Sequence, residues 1–225
     1  MGDLKLLSKP DAVLLDLDGT LADTAPDLAN ALNNTLIHYS EQPLAFDDIR
    51  PHVSHGAKAL IQLGFGIDEL DDGYPEKRQY LLDFYLDNIA EQTSLFSGMD
   101  EVVNSLESQN ISWGIVTNKP AYLTEPLIAA LQLDTRAACV VSGDTTAHSK
   151  PHPEPLLFAC QQINVRPEQC IYIGDALRDI EAGGNAGMKT LAARFGYIND
   201  NDDITKWGAD GIIDHPMEIL DWIKL

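Results

Sequence analysis

Hydrophobic positions follow two different patterns along the chain, and the change near residue 93 divides the sequence. The short apolar run from Ala12 to Leu15 is typical of a buried strand. From Ala25 to about Asn88, apolar residues such as Leu28 and Leu32 recur every three or four positions, which predicts amphipathic helices. After Phe96, short apolar runs alternate with helical patterns, as in parallel α/β sheets.

The second half of the chain therefore predicts strands separated by helices. Predicted strands cover residues 113–117, 138–142, 170–174, 190–193 and 211–213. Predicted helices cover residues 100–108, 122–131, 154–162, 177–186 and 217–223. One strand, an all-helical block and further strands predict an α/β fold, with a Rossmann-like parallel-sheet core over 1–22 and 93–225 and a small helical cap inserted at 23–92 after the first strand.

Polar residues collect where the predicted strands end. The loops after the carboxyl ends of parallel strands form the ligand crevice of such sheets, so these residues are expected to meet in one site. They are Asp16, Asp18, Thr117, Asn118, Lys150, Asp175 and Asp179.

The charge balance restricts the partners. A net charge of -20, from 35 acidic and 15 basic residues, argues against nucleic acid as a partner. An anionic substrate would be repelled at long range, so its site needs local positive charge from a metal, a lysine or helix N-termini. No apolar run approaches the roughly 20 residues of a membrane span.

Further features of the sequence favour a cytoplasmic protein. The N-terminus shows no charged start followed by a hydrophobic signal region. Cys139, Cys160 and Cys170 lie in apolar segments without C-x-x-C spacing, as buried free thiols of a reducing compartment do. A monomer and a homodimer both fit, because an apolar dimer face and an apolar core face look alike in sequence.

Four motifs, in this order, resemble those phosphatases of the haloacid dehalogenase superfamily that have a helical cap inserted after the first strand. The resemblance covers essentially the whole chain. The motifs are Asp16-Leu17-Asp18-Gly19-Thr20-Leu21, Val116-Thr117-Asn118-Lys119, Lys150-Pro151, and Gly174-Asp175 with Asp179.

The resemblance implies phosphoryl transfer through an aspartyl-phosphate. Asp16 would be the nucleophile, because a carboxylate is already ionised at neutral pH. Asp18 would be the general acid and base, protonated at the first step. Thr117 and Lys150 would complete the catalytic set, and Gly19 and Asn118 would also bind the phosphate.

The same resemblance implies a Mg²⁺ site and a specificity loop in the cap. Mg²⁺ prefers oxygen ligands, which Asp16, Asp175 and the backbone carbonyl of Asp18 would supply, with Asp179 supporting or completing the site. In the cap, His55, Gly56 and Lys58 resemble part of the family's substrate-specificity loop. An ordinary turn between helices remains open for this stretch.

Simpler interpretations exist for the separate residues. Asp16 and Asp18 alone could cap a turn. A calcium loop is excluded because its sixth and twelfth positions hold Leu21 and Asp27 instead of Gly and Glu. Five histidines show no metal-ligand spacing with one another and are expected to be ordinary surface or loop residues: His38, His52, His148, His152 and His215.

Within the superfamily, the chain resembles the phosphoglycolate phosphatase group, so 2-phosphoglycolate is the first candidate among small phosphorylated metabolites. Asp23-Thr24-Ala25-Pro26-Asp27 and other strings also resemble a bacterial branch that dephosphorylates N-acetylmuramic acid 6-phosphate in cell-wall recycling. The phosphate-handling motifs cannot choose between these substrates. A sugar-phosphate mutase resembling β-phosphoglucomutase and a non-catalytic binding protein remain alternatives.

Overall fold

The central feature of the computed structural model, which describes residues 9–199 and 202–223, is a parallel six-stranded sheet. The described strands are β1 Ala12–Leu15, β2 Ala22–Asp23, β3 Ser94–Leu95, β4 Ser112–Val116, β5 Val140–Val141, β6 Cys170–Gly174, β7 Lys189–Ala193 and β8 Gly211–Ile213. The sheet has the order β5-β4-β1-β6-β7-β8, and β2 and β3 form a separate pair. Strand β1 lies between β4 and β6, and its residues are all buried. Continuous apolar runs are what a strand covered on both faces requires.

Nine α-helices accompany these strands in the described residues. They are α1 Ala25–His38, α2 Phe46–Ile49, α3 Gly56–Phe65, α4 Tyr74–Asp87, α5 Met99–Ser108, α6 Ala121–Ala130, α7 Glu154–Ile163, α8 Leu177–Asn185 and α9 Glu218–Trp222. Because side chains alternate along a strand, Val13 of β1 packs in the cluster with α5 and α6. Leu14 packs on the other face, in the cluster with α7 and α8.

Helices α1 to α4 pack around a separate apolar cluster, which contains Leu32, Leu60 and Leu81 and also includes Leu123 of α6 and Tyr197. The antiparallel pair β2-β3 brings the two ends of this helical segment together. Nearby, the buried carboxylate of Asp27 accepts hydrogen bonds from the backbone N–H groups of Gln92 and Thr93. These contacts hold the two connections between the sheet and the helical segment beside the end of β1. The expected domain boundaries at 23 and 92 stay a prediction.

The expected parallel α/β sheet is confirmed, with differences at element ends. The paired part of the strand expected at 138–142 is only Val140–Val141. It ends early because Ser142 belongs to a turn, in which its carbonyl accepts a hydrogen bond from Thr145 N–H. No helix in residues 9–199 and 202–223 has the length and apolar character needed to cross a bilayer.

Candidate active site

Three carboxylates from two strand ends and one helix meet beside the sheet. Asp16 follows β1, Asp175 follows β6, and Asp179 lies in the first turn of α8. All three are buried, and one oxygen from each lies within 4.8 Å of the others. The sequence-predicted convergence of these residues at the carboxyl edge of the sheet is what the parallel topology produces.

Lys150 lies against this acidic group and is completely buried. Its Nζ is 2.9 Å from Asp16 Oδ1 and 2.7 Å from Asp179 Oδ1. It also donates to the Val116 carbonyl at 2.9 Å and to Tyr172 Oη at 2.8 Å. The lysine is thus a fixed positive charge between two carboxylates.

Asn118 holds the backbone of Lys150. Its side-chain Oδ1 accepts from Lys150 N–H, and its Nδ2 donates to the Lys150 carbonyl, both at 3.0 Å. The Asn118 side chain is therefore engaged in positioning the lysine, while the expected contact of Asn118 with phosphate stays a prediction. Thr117 is nearby and buried, and its Oγ1 accepts from Lys119 N–H at 3.1 Å, which leaves the hydroxyl proton to donate.

The electrostatics of the acidic group suit a divalent cation. Burial raises the pKa of Asp16 to about 6, although Lys150 opposes the shift. Burial, followed by repulsion from Asp16 and Asp179, raises the pKa of Asp175 to about 7. Asp175 Oδ1 is buried and has no hydrogen-bond partner in the described part of the chain. Carboxylate oxygens that repel one another fit a hard divalent cation, which would offset the repulsion.

Asp179 also has a structural task. Its Oδ2 accepts from Ala176 N–H at 3.0 Å at the start of α8, so it caps the helix while its Oδ1 faces Lys150. Space for it depends on Gly174, where an added Cβ would lie 2.3 Å from Asp179 Cβ. Its position is therefore compatible with a capping role at the start of α8 and with the supporting role expected in the metal site.

Asp18 faces the helical side of the site. Its Oδ1 accepts from Lys119 Nζ at 2.8 Å and from Thr24 Oγ1 at 2.6 Å. Its Oδ2 makes no hydrogen bond to any residue that the structure describes, so this oxygen is available for proton transfer. Lys119 in turn lies 4.6 Å from the centre of the Tyr85 ring on α4.

Gly19 shapes the turn after β1. Its φ of +85° is in the left-handed region, and a Cβ there would lie 2.2 Å from Asp175 Oδ2. Its N–H donates to the Ala22 carbonyl at 3.0 Å, within the turn. The expected contact of Gly19 with phosphate remains a prediction, whereas its contribution to the fit of Asp175 follows from the geometry.

A cavity of about 390 Å³ lies between the sheet and helices α1 to α4. Asp16, Asp18 and Thr117 line one side. The expected cap residues line the other, and they are His55, Gly56 and Lys58. These cap residues belong to the junction between the 3-10 segment Arg50–His55 and the first turn of α3. Lys58 reaches Glu69 in an exposed ion pair at 2.5 Å.

Arg178 is a cavity residue that sequence reasoning missed. Its guanidinium donates to the Ser54 carbonyl at 2.6 Å and lies 3.5 Å from His55 Nδ1. Ser54 Oγ donates to Asp175 Oδ2 at 2.7 Å, so the cap contacts the acidic group directly. Burial and the Arg178 charge lower the pKa of His55. An arginine within a helix carries no spacing signal, because its partners come from a distant segment.

A second group of potential ligands lies outside the cavity. His148 and His152 are exposed, and their rings stack at 4.3 Å. His148 Nδ1 is 2.7 Å from Glu154 Oε2. The two histidines were predicted to be surface or loop residues, but their proximity to each other was not predicted.

Comparison with known proteins identifies the family to which this site belongs. The family model of the haloacid dehalogenase-like hydrolases matches residues 13–193, a range that includes most of β1, the helical segment and the residues of the acidic group. The chain belongs to this family. The resemblance inferred from the four motifs is therefore confirmed.

Relatives within the haloacid dehalogenase-like family carry phosphatase names. An N-acetylmuramic acid 6-phosphate phosphatase from Pseudomonas putida is 42% identical over 92% of this chain and 93% of its own length. A phosphoglycolate phosphatase from Xanthomonas campestris pv. campestris is 39% identical over 93% and 95%. The crystal structure titled as a predicted phosphoglycolate phosphatase from Haemophilus somnus has a TM-score of 0.83 at 26% identity, covering 94% of this chain and 96% of that one. The chain is a phosphoric monoester hydrolase of this family.

Proposed function

We propose that this phosphatase uses Mg²⁺ and hydrolyses N-acetylmuramic acid 6-phosphate. The observation that carries the substrate proposal is the cavity beside Asp16, at about 390 Å³. Small-molecule sites measure about 300–1,000 Å³, so this cavity suits a leaving group of sugar size. Two relatives with that activity in their names, at 42% and 40% identity, support the same substrate.

In the first chemical step, a carboxylate oxygen of Asp16 attacks phosphorus. The bond from phosphorus to the sugar oxygen breaks, and Asp18 Oδ2 donates a proton to that oxygen, which leaves the sugar as an alcohol and phosphate on Asp16. In the second step, Asp18 accepts a proton from water as the water oxygen attacks phosphorus. The bond to Asp16 breaks, and inorganic phosphate leaves.

The remaining residues hold and compensate the phosphate charge. Lys150, fixed by Asn118 and two carboxylates, contributes a buried positive charge, and Thr117 Oγ1 donates a hydrogen bond. Asp16, Asp175, Asp179 and the Asp18 carbonyl would hold Mg²⁺, which supplies charge neutralisation when bound. Arg178 adds positive charge at the junction with the cap.

A second candidate substrate is 2-phosphoglycolate, because several relatives at 34–39% identity carry that name. Such a small leaving group would leave most of the cavity to water. A sugar-phosphate mutase would use the same core residues. A non-catalytic role would not explain why three carboxylates and Lys150 are buried together beside the cavity. We place the enzyme in the cytoplasm, in agreement with its three free, buried cysteines.

Phosphate release from a substrate panel tests the proposal. The panel contains N-acetylmuramic acid 6-phosphate, 2-phosphoglycolate, glucose 6-phosphate and p-nitrophenyl phosphate, each with Mg²⁺ and with EDTA. We expect the highest kcat/KM for N-acetylmuramic acid 6-phosphate, with no release in EDTA. A higher kcat/KM for 2-phosphoglycolate would reject the substrate, and full activity in EDTA would reject the metal.

A further inference from the structure

One face of α4 forms part of the cap wall of the cavity, together with the first turn of α3. Tyr74, Arg78, Leu82 and Tyr85 all line the cavity, and their spacing of four, four and three residues repeats the turn of the helix. Tyr85 is at the reaction end, because Lys119 contacts its ring and pairs with Asp18. Arg78 lies two turns nearer the start of the helix, about 10 Å away at about 1.5 Å per residue.

Arg78 is a cation without a partner in the described residues: no hydrogen bond or ion pair involves its guanidinium. The other cap cation on this wall, Lys58, is paired with Glu69. In a chain with 35 acidic and 15 basic residues, an arginine that faces a cavity without an acidic partner is available to an external anion. Lys77, its neighbour, instead packs over Tyr39 and Phe65.

A second feature of the same wall points to a polar ligand. Tyr74 is only 5% exposed, lines the cavity, and its hydroxyl has no hydrogen-bond partner among residues 9–199 and 202–223. A buried hydroxyl without a partner is costly unless a ligand or water satisfies it. The first turn of α3, at Gly56 and Lys58, also faces the cavity with the positive end of its dipole.

We propose that Arg78 and Tyr74 form a subsite that binds a carboxylate at the far end of the leaving group. The inference rests on the proposed function and specifies which part of the substrate the enzyme recognises. A carboxylate that reaches Arg78 must be separated from the phosphate by roughly the length of a sugar ring, since Arg78 lies about 10 Å along α4 from Tyr85. Arginine suits this group because its planar fork donates two parallel hydrogen bonds to a carboxylate.

Two substrates that differ in this carboxylate provide the test. N-Acetylmuramic acid 6-phosphate carries a lactyl carboxylate, and N-acetylglucosamine 6-phosphate lacks the lactyl group. For Arg78→Ala we expect kcat/KM on the first substrate to fall about 10- to 100-fold, mainly through KM, because a charge-assisted hydrogen bond is lost. On N-acetylglucosamine 6-phosphate, kcat/KM should stay within about 2-fold.

Further variants separate the subsite from general effects on charge or folding. Arg78→Lys should retain part of the selectivity, and Tyr74→Phe should lower it by a smaller factor than Arg78→Ala. Lys77→Ala removes the same charge from the same helix outside the cavity, and it should leave the ratio of the two kcat/KM values unchanged. Thermal melts verify that each variant is folded.

The outcomes distinguish the two proposals. If the wild-type enzyme releases no phosphate from N-acetylmuramic acid 6-phosphate, the proposed substrate is wrong and the subsite is rejected with it. If the wild type cleaves this substrate but Arg78→Ala keeps the wild-type ratio, or lowers kcat/KM equally for both substrates, the carboxylate subsite alone is rejected.

Discussion

Replacing Lys119 with methionine removes the group that fixes the proposed acid and base. Lys119 and Asp18 form an ion pair at 2.8 Å, with side chains that are 7% and 15% exposed. Loss of Lys119 leaves Thr24 Oγ1 as the hydrogen-bond partner of Asp18 Oδ1. We therefore expect the Asp18 carboxylate to sample other rotamers, and proton donation to the leaving oxygen to become less efficient.

The size of the effect follows from the structure and from general acid catalysis. A positioned acid contributes about 10²–10⁴-fold, and a misplacement of about 1 Å costs about 10²-fold, so kcat/KM for a sugar phosphate should fall about 10²-fold. This corresponds to about 3 kcal/mol of barrier. Breaking the buried pair should also lower the free energy of unfolding by about 3–5 kcal/mol, or roughly 6–20 °C in Tm.

Comparing two leaving groups in a steady-state assay separates catalysis from stability. The p-nitrophenolate ion leaves without protonation, so kcat/KM for p-nitrophenyl phosphate should fall much less than for N-acetylmuramic acid 6-phosphate. Lys189→Met is a matched control, because it breaks an exposed ion pair with Asp210. It should change stability by about 0–1 kcal/mol and leave both rates unchanged. Equal losses on both substrates in folded Lys119→Met would refute the positioning role.

Two further predictions concern the acidic group. Without metal, stability should fall by a few kcal/mol between about pH 4 and pH 7, because the pKa values of Asp16 and Asp175 rise from 3.8 to about 6 and about 7 on folding, so the native state binds more protons. Thermal melts in EDTA at pH 5 and pH 8 measure this loss, and Asp175→Asn should reduce it. A higher Tm at pH 8 than at pH 5 would contradict the explanation. Gly19→Ala should lower Tm and abolish activity, because its Cβ would lie 2.2 Å from Asp175 Oδ2 at a φ of +85°. Gly184→Ala, with no atom within 4 Å of the new Cβ, should be neutral or stabilising by about 0.5–1 kcal/mol, and equal effects of the two variants would refute the steric argument.

The sheet was predictable from sequence because burial on both faces leaves a strong local signal. The strand at Cys170–Gly174 was predicted with its observed bounds, since its apolar run continues to the glycine and aspartate that end it. Strand β5 was predicted too long at both ends, and at its C-terminal end a polar turn at Ser142 follows its apolar residues directly. Such a limit depends on a hydrogen bond within the turn and not on hydrophobic periodicity.

The acidic group was predictable from the topology, whereas the residues that contact and position the site were not. Asp16 and Asp175 meet because parallel strands end at the same edge. Lys119 and Arg178 gain their roles from Asp18 and Ser54, which lie far away in sequence. No local spacing encodes these pairs. Asn118 was expected to bind phosphate, but its side-chain contacts with Lys150 appear only once the two loops are placed together.

The central claim, that Asp16 carries the phosphoryl group, is tested most directly by trapping the intermediate. Enzyme with Mg²⁺ is mixed with phosphorus-labelled N-acetylmuramic acid 6-phosphate or p-nitrophenyl phosphate and quenched in acid within milliseconds, and the labelled peptide is identified by mass spectrometry. We predict label on Asp16, approaching about one phosphate per chain at most, and none in Asp16→Asn. Label on another residue, or undiminished turnover by Asp16→Asn, would contradict the account.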